Sequence, residues 1–182
     1  ANEFADEVER IIYLYPQEIA FAQLNLLDSH DMPRFLSCAS GDVDSLKLAW
    51  LFLFTTVGAP CIYYGDEVGV DGGHDPLCRK AFPWDSSKWN QDLLTYAKAC
   101  AALRKSQPAL RRGAYQRLYA NGAVMAYQRG QDGDAVKIIF NVSKESQSIE
   151  MELGKTPKIL FGNPTLDGGK ITLPSRSGAV IY

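Results

Sequence analysis

The chain has 182 residues, a net charge of −2, 46% apolar and 22% charged side chains, the composition of an ordinary globular protein with room for one medium domain or a small domain plus part of another. The near-neutral balance gives no electrostatic case for nucleic acid or an anionic membrane as partner. The longest apolar run, Leu48 to Val57, is too short to span a bilayer.

Phe4, Val8, Ile11 and Ile12 recur at helical spacing among acidic residues and predict a helix over 4–14, ending before Pro16. The chain opens in mid-pattern without a starting Met, so it is expected to be a fragment, and the lack of a leader says little about location. Ile19 to Leu27 is apolar on both faces, as in a fully buried parallel strand. Directly past it stand His30, one of two histidines, and Asp31. In barrel enzymes, residues beyond the C-terminal end of a strand carry the chemistry. The competing reading of the pair is an Asp N-cap beside a packed histidine.

Asp42-Val43-Asp44 offers capping carboxylates for a helix running to about Val57, apolar nearly all round and therefore buried. Gly58 stops it, and Pro60 to Tyr64 reads as a second short buried strand closed by Gly65. A polar loop runs from Gly65 to Pro83, and Asp92 to Lys105 is a further helix ended by Pro108. Helix, strand, helix, strand, helix is the rhythm of a parallel sheet with right-handed crossovers.

After Arg111 the pattern alternates over Tyr115–Ala120, Val124–Arg129, Ala135–Asn141, Ser148–Leu153, Lys158–Phe161, Lys170–Leu173 and Ala179–Tyr182, with turn signals between, such as Asn121-Gly122 and Gly162-Asn163-Pro164. This predicts an antiparallel sandwich or open barrel, with a boundary near 106–112. Two doubly buried strands cannot stand alone without exposing unpaired apolar edges, so the first part is expected to belong to a larger sheet or to self-associate. Cys38, Cys61, Cys78 and Cys100 form no close pair and no metal-ligand spacing. Cys61 and Cys100 read as core residues, and a reducing, cytoplasmic compartment is the mild expectation.

Asn25-Leu26-Leu27-Asp28-Ser29-His30-Asp31 resembles the fourth signature region of the α-amylase family of glycoside hydrolases (family 13), at the end of strand seven of a (β/α)8 TIM barrel. Gly58-Ala59-Pro60-Cys61-Ile62-Tyr63-Tyr64-Gly65-Asp66-Glu67 resembles that family's strand-eight signature. Gly72-Gly73-His74-Asp75-Pro76-Leu77-Cys78-Arg79-Lys80 is similar to its neopullulanase, cyclomaltodextrinase and maltogenic amylase branch, and Leu173 to Val180 matches the close of the family's small β-domain. The resemblance implies that residues 1–110 are the C-terminal part of the barrel and 111–182 an antiparallel β-sandwich domain.

It implies further that Asp31 is the third catalytic carboxylate, which holds sugar hydroxyls at the cleavage subsite and supports a distorted ring, with His30 donating to the same sugar. Asp75 and Arg79 match positions that contact glucose units on the non-reducing side of the cut; Arg34 is expected to bind substrate or to orient Asp31. Glu67 lines the cleft or braces its loop, Tyr63 and Tyr64 pack the barrel, and Trp84 is a sugar platform or a structural wedge. The nucleophile and the acid/base carboxylate of the family belong to strands outside this chain, which is therefore expected to be inactive alone. The implied partners are an α-glucan oligosaccharide and the remainder of the barrel. No metal or cofactor is expected on this chain, calcium belonging to the rest of such an enzyme. Met32 departs from the Thr of many relatives and leaves subfamily and bond preference open. Two other readings remain: a non-catalytic carbohydrate-binding or structural module, with Tyr115, Tyr119 and Tyr127 as platforms, and a metal-dependent hydrolase built on His30-Asp31 and His74-Asp75.

Overall fold

The computed structural model describes residues 1–182, with the side chain of Asp132 excepted. Helix α1 (Asn2–Tyr13) buries Ala5 and Val8, as its periodicity requires. The strand expected from Ile19 to Leu27 is mostly not one. Instead α2 (Gln17–Ala22) follows Pro16, with Glu18 in its first turn where a helix N-terminus favours a carboxylate. Only β1 (Leu24–Asn25) is extended and paired; it runs parallel to β2 (Ala59–Pro60), Leu24 opposite Ala59 and Asn25 opposite Pro60. The second expected strand, Pro60 to Tyr64, likewise keeps its ladder only through Pro60, although Cys61 N–H still donates to the Asn25 carbonyl at 2.8 Å. Each strand is short because the other is its sole partner among the described residues, and a ladder reaches no further than its partner.

Entry into β2 needs a glycine. Gly58 sits at φ 100°, and a Cβ there would come within 2.5 Å of Asn25 Nδ2, the amide that donates to the Val57 carbonyl at 2.6 Å. Between the strands lie α3 (Phe35–Cys38) and α4 (Val43–Thr55). Asp42 caps α4 as expected, its carboxylate accepting from the backbone N–H of Asp44 and of Ser45, each at 3.1 Å. Leu46, Leu48, Trp50, Leu51, Leu53 and Phe54 are all buried on it. Helix α5 (Gln91–Ser106) is capped by Asn90, whose side chain accepts from Leu93 N–H at 3.0 Å. Pro108 does more than end α5: it opens α6 (Pro108–Arg112), since proline suits a first helical position.

The rest is β3 (Tyr115–Asn121), β4 (Val124–Arg129), β5 (Val136–Asn141), β6 (Gln147–Glu150), β7 (Ile159–Phe161), β8 (Thr165–Asp167), β9 (Lys170–Leu173) and β10 (Ser177–Ile181). They form a five-stranded sheet, β3-β4-β5-β10-β7, and a three-stranded one, β6-β9-β8. Strand β8 has no counterpart among the stretches expected from the sequence. Val124, Ala126, Ile139 and Ala179 meet Ile149, Ile171 and Leu173 between the sheets. The other face of the larger sheet carries Met125, Tyr127, Ile138, Phe140 and Val180 into one core with the helices. That second burial explains why β4 and β5 are apolar with little alternation.

Polar contacts reinforce the same face. The Tyr127 hydroxyl lies 2.6 Å from Thr55 Oγ1, and Arg129 Nη1 donates to the Thr55 carbonyl at 2.6 Å. Arg104 Nη1 donates to the carbonyls of Phe54 at 2.8 Å and Thr56 at 3.2 Å, and its Nη2 to that of Gly58. Two of the orphan carbonyls at the end of α4, those of Phe54 and Thr55, are thus satisfied.

Candidate active site

Past β1 the chain makes a tight turn. Asp31 N–H donates to Ser29 Oγ at 3.1 Å, and Met32 N–H reaches the Ser29 carbonyl at 3.4 Å. His30 Nε2 stands 3.2 Å from Asp31 Oδ2, with the two side chains 65% and 71% exposed. Asp31 therefore caps no helix and His30 is not packed in a core. The residue that holds the start of α3 is Asp28, whose Oδ2 accepts from Phe35 N–H at 2.6 Å.

The turn rests on the loop over residues 72–80. The His30 carbonyl accepts from Arg79 Nε at 3.1 Å and from Cys78 Sγ at 3.2 Å. Arg79 Nη2 pairs with Asp75 Oδ1 at 2.8 Å, both about half exposed. His30, Asp31, Arg79 and Asp75 thus form one contiguous patch of exposed donors and acceptors. A carboxylate offers only acceptors and a guanidinium only donors, in a fork of fixed geometry, so the patch can hold both partners of vicinal hydroxyl pairs. The close backbone approach in this loop requires Gly72, where a Cβ would meet the Leu77 carbonyl at 2.2 Å.

Arg34 differs from its expected place at the substrate surface. It is fully buried, so it touches no sugar in this arrangement. Its Nε donates to the Cys78 carbonyl at 2.9 Å, and its Nη1 to the Tyr64 carbonyl at 2.6 Å and to Asp66 Oδ1 at 2.7 Å. The guanidinium carbon lies 4.1 Å from the ring centre of Tyr63 and 4.8 Å from that of Tyr64. These two tyrosines pack on a cation, and Tyr64 also donates to the Lys80 carbonyl at 2.8 Å. Burial together with the Asp28 carboxyl raises Asp66 to about 8, against the opposing pull of Arg34. Asp28 and Asp66 lie inside the two signature stretches, yet nothing in the sequence marks either as a buried acid beyond the apolar run that each closes at a strand end.

Glu67 braces its own turn, Oε2 accepting from Gly65 N–H at 2.8 Å. Trp84 is 85% exposed, edge-on to Phe82 at 5.0 Å, while Trp89 packs on Phe82 at 5.7 Å and is the wedge of this cluster. Tyr115 and Tyr127 are buried and offer no sugar platform. Among the described residues no three His, Cys, Asp or Glu side chains gather as a metal cage, so the metal-hydrolase reading finds no geometry there.

Residues 3–116 match the family model described as alpha amylase, catalytic domain. The chain is 44% identical over 162 residues to a cyclomaltodextrinase of Geobacillus thermopakistaniensis, a match covering 88% of the chain and 28% of that protein. It is 35% identical to neopullulanase 2 of Thermoactinomyces vulgaris over all of its own length and 30% of the relative's. A solved debranching enzyme of Nostoc punctiforme superposes with a TM-score of 0.91 at 38% identity, covering 100% of this chain and 40% of that one. The chain thus spans less than a third of the length of these two curated relatives.

Proposed function

The chain belongs to the α-amylase family of glycoside hydrolases, and on that premise we propose that it is the C-terminal part of a retaining α-glucan hydrolase, residues 1–110 completing the barrel and 111–182 forming its β-domain. The substrate is a maltodextrin, starch chain or cyclodextrin. The observation that supports this reading most is the exposed His30–Asp31 turn held from below by Arg79 and Cys78, with Asp75 beside it.

The chemistry follows from the transition state. Cleavage builds positive charge on the sugar ring, and hydrogen bonds from ring hydroxyls to a fixed carboxylate strengthen as it develops. Asp31 is that acceptor, and His30 donates to the same sugar. Asp75 and Arg79 grip the neighbouring glucose unit and register the chain against the cut. The turn can be held in place before substrate arrives because its backbone, not its working side chains, carries the supporting bonds. Retention also needs a nucleophile and an acid/base carboxylate about 5 Å apart. In this reading both come from barrel strands outside the chain, so the chain alone turns nothing over.

The missing strands have a place to go. Val8, Ile11, Leu24, Leu26, Phe52 and Val57 line an apolar groove beside β1, and Leu24 is 63% exposed. An apolar strand edge left open is a template for pairing; the remainder of the barrel is its occupant, and a second copy is the substitute when that remainder is lacking. Among the described residues no helix is long and apolar enough to cross a membrane. Four free thiols suit a reducing compartment, which supports a cytoplasmic enzyme.

Calorimetric titration of acarbose into the chain and into Asp31→Ala tests the reading. Binding should be roughly ten- to a hundredfold weaker in the variant, the size of one lost charge-assisted hydrogen bond. Equal binding by both would remove Asp31 from the site. A chromogenic maltoside should stay intact with the chain alone; hydrolysis lost in Asp31→Asn would overturn the assignment of the other two carboxylates to missing strands.

A further inference from the structure

Arg34 ends the turn that carries His30 and Asp31, and the neighbouring loops meet on it. Its backbone N–H donates to the Gly72 carbonyl at 2.8 Å, and its Nε to the Cys78 carbonyl at 2.9 Å. Both halves of the 72–80 loop therefore hang on one residue. Its Nη1 reaches the Tyr64 carbonyl at 2.6 Å and Asp66 Oδ1 at 2.7 Å, in the loop that follows β2. On α3, Ser37 Oγ accepts from Gly72 N–H at 2.7 Å and strengthens the same junction.

The 72–80 loop then returns to the turn. Cys78, whose carbonyl Arg34 holds, donates its thiol to the His30 carbonyl at 3.2 Å, and Arg79 Nε donates to the same carbonyl at 3.1 Å. The contacts close a ring, from Arg34 to Cys78, from Cys78 to His30, and along the chain back to Arg34. Among the described residues no hydrogen bond joins the Arg34 side chain to His30 or Asp31 directly. Whatever Arg34 does for them it does through this ring.

Stability alone does not account for an arginine here. Its Nη2 is sealed from solvent with no partner among the described residues, as is Oδ1 of Asp28 at the start of the same turn. A buried cation with an unused donor is a poor stabiliser, and a well-packed apolar side chain of similar volume often serves a core as well or better. What the apolar side chain lacks is a rigid fork that fixes two loop carbonyls at once while lying against the rings of Tyr63 and Tyr64.

We propose that Arg34 is a positioning residue: it fixes the 72–80 loop against the loop after β2, and the 72–80 loop in turn holds the His30 carbonyl and so the placement of Asp31. The same loop carries Asp75 and Arg79, so Arg34 also sets the spacing between that pair and the His30–Asp31 pair. The consequence for sugar binding rests on the function proposed above; the ordering of the turn does not.

Arg34→Met keeps the apolar stem and removes every side-chain donor. Nitrogen-15 relaxation of the whole chain reads the order of the His30, Asp31 and Met32 amides. In the wild type they should show the order parameters of a rigid backbone, about 0.85, and in Arg34→Met they should fall below about 0.6. Ile171→Ala opens a cavity between the two sheets, away from these loops, and should leave the turn as ordered as in the wild type. Equal order of the turn in Arg34→Met and Ile171→Ala would overturn the proposal, as would a turn already mobile in the wild type. If Arg34→Met fails to fold because Asp66 is left buried without its cation, Arg34→Met combined with Asp66→Asn removes both partners and gives the same reading. The wild type alone supplies a further check: the Arg34 Nε–H, recognised by its closeness to the Tyr63 and Tyr64 rings, should resist exchange with solvent, and rapid exchange would refute the grip on Cys78. Acarbose titration separates the two ideas. Affinity in Arg34→Met should drop by up to the roughly ten- to hundredfold loss expected of Asp31→Ala. Asp31-dependent binding that is equal in the wild type and Arg34→Met sinks only this inference; a turn loosened in Arg34→Met with no sugar bound by the wild type sinks only the functional reading.

Discussion

Buried beside another acid, a carboxyl makes stability depend on pH in the sense opposite to a salt-bridged surface aspartate, and Asp66 is such a case. In the unfolded chain it releases its proton near 4; in the fold, burial and Asp28 raise it to about 8. Between those limits the native state holds a proton the unfolded state has lost. The associated stability is fully present below pH 4, falls as pH rises, and is gone above about 8, with a slope of at most about 1.4 kcal/mol per pH unit for one proton. Asp42, Asp71 and Asp85, each lowered chiefly by hydrogen bonds from Ser45, Lys80 and Ser87 respectively, act the other way, losing stability as pH falls into the acid range. Replacing Asp66 with Asn removes the first contribution and leaves the others. Urea midpoints at pH 5, 6.5 and 8 should therefore show the variant gaining on the wild type at each step; a constant gap would mean that Asp66 is ionised throughout.

At the scale of elements, the end of α4 shows how a helix terminus is tied to the start of the site. Arg104 on α5 donates to the carbonyls of Phe54, Thr56 and Gly58, the stretch that leads into β2. Arg104→Met keeps the apolar stem and leaves those carbonyls without their donor. A loss of roughly 2–4 kcal/mol is expected from charge-assisted bonds in a half-buried place, with faster amide exchange at Ala59 and Cys61; unchanged exchange there would deny the link from α5 to the strand. Helix α4 was legible in the sequence because capping residues and a long apolar pattern agree, α5 because Pro108 marks its end, and β4 and β9 because turns bracket them. Ile19 to Leu27 was not: its apolar run suits a buried strand, but its side chains pack locally from a short helix after Pro16. Periodicity cannot tell these apart over so few residues. The site divides in the same way. The motifs gave roles to His30, Asp31, Asp75 and Arg79, whereas Asp28 and Asp66, which stand inside two of the same stretches, received none, because a carboxyl's burial depends on packing that spacing along the chain does not show. Arg34 carries the lesson in one residue, visible by its spacing yet buried where a surface role was expected.

Over the whole molecule, the larger sheet is sealed on one side by the smaller sheet and on the other by α1 and α4, so one apolar core runs through both parts of the chain. Phe52 sits at the junction, with its ring centre 5.2 Å from that of Phe4, 6.2 Å from Tyr127 and 6.3 Å from Phe140. A β-domain freed from the helices would expose Tyr127, Ile138 and Phe140 together, and a unit of about seventy residues has little stability to spare for that. The two parts should therefore unfold as one. The sequence provides a clean way to see it: all three tryptophans, Trp50, Trp84 and Trp89, lie before the sheets, so tryptophan fluorescence reports the helical part alone while far-UV dichroism in the strand region reports the β-sheets. The two urea transitions should coincide, the signature of a single cooperative unit. Phe52→Ala should shift both by the same amount, by up to about 3 kcal/mol, the low end for a large aromatic because Phe52 is only partly buried. If instead fluorescence moved and dichroism stayed, the β-sheets would be an independent domain resting on the helices. The face they share would then be a dispensable contact rather than part of what holds β2, and with it the site, in place.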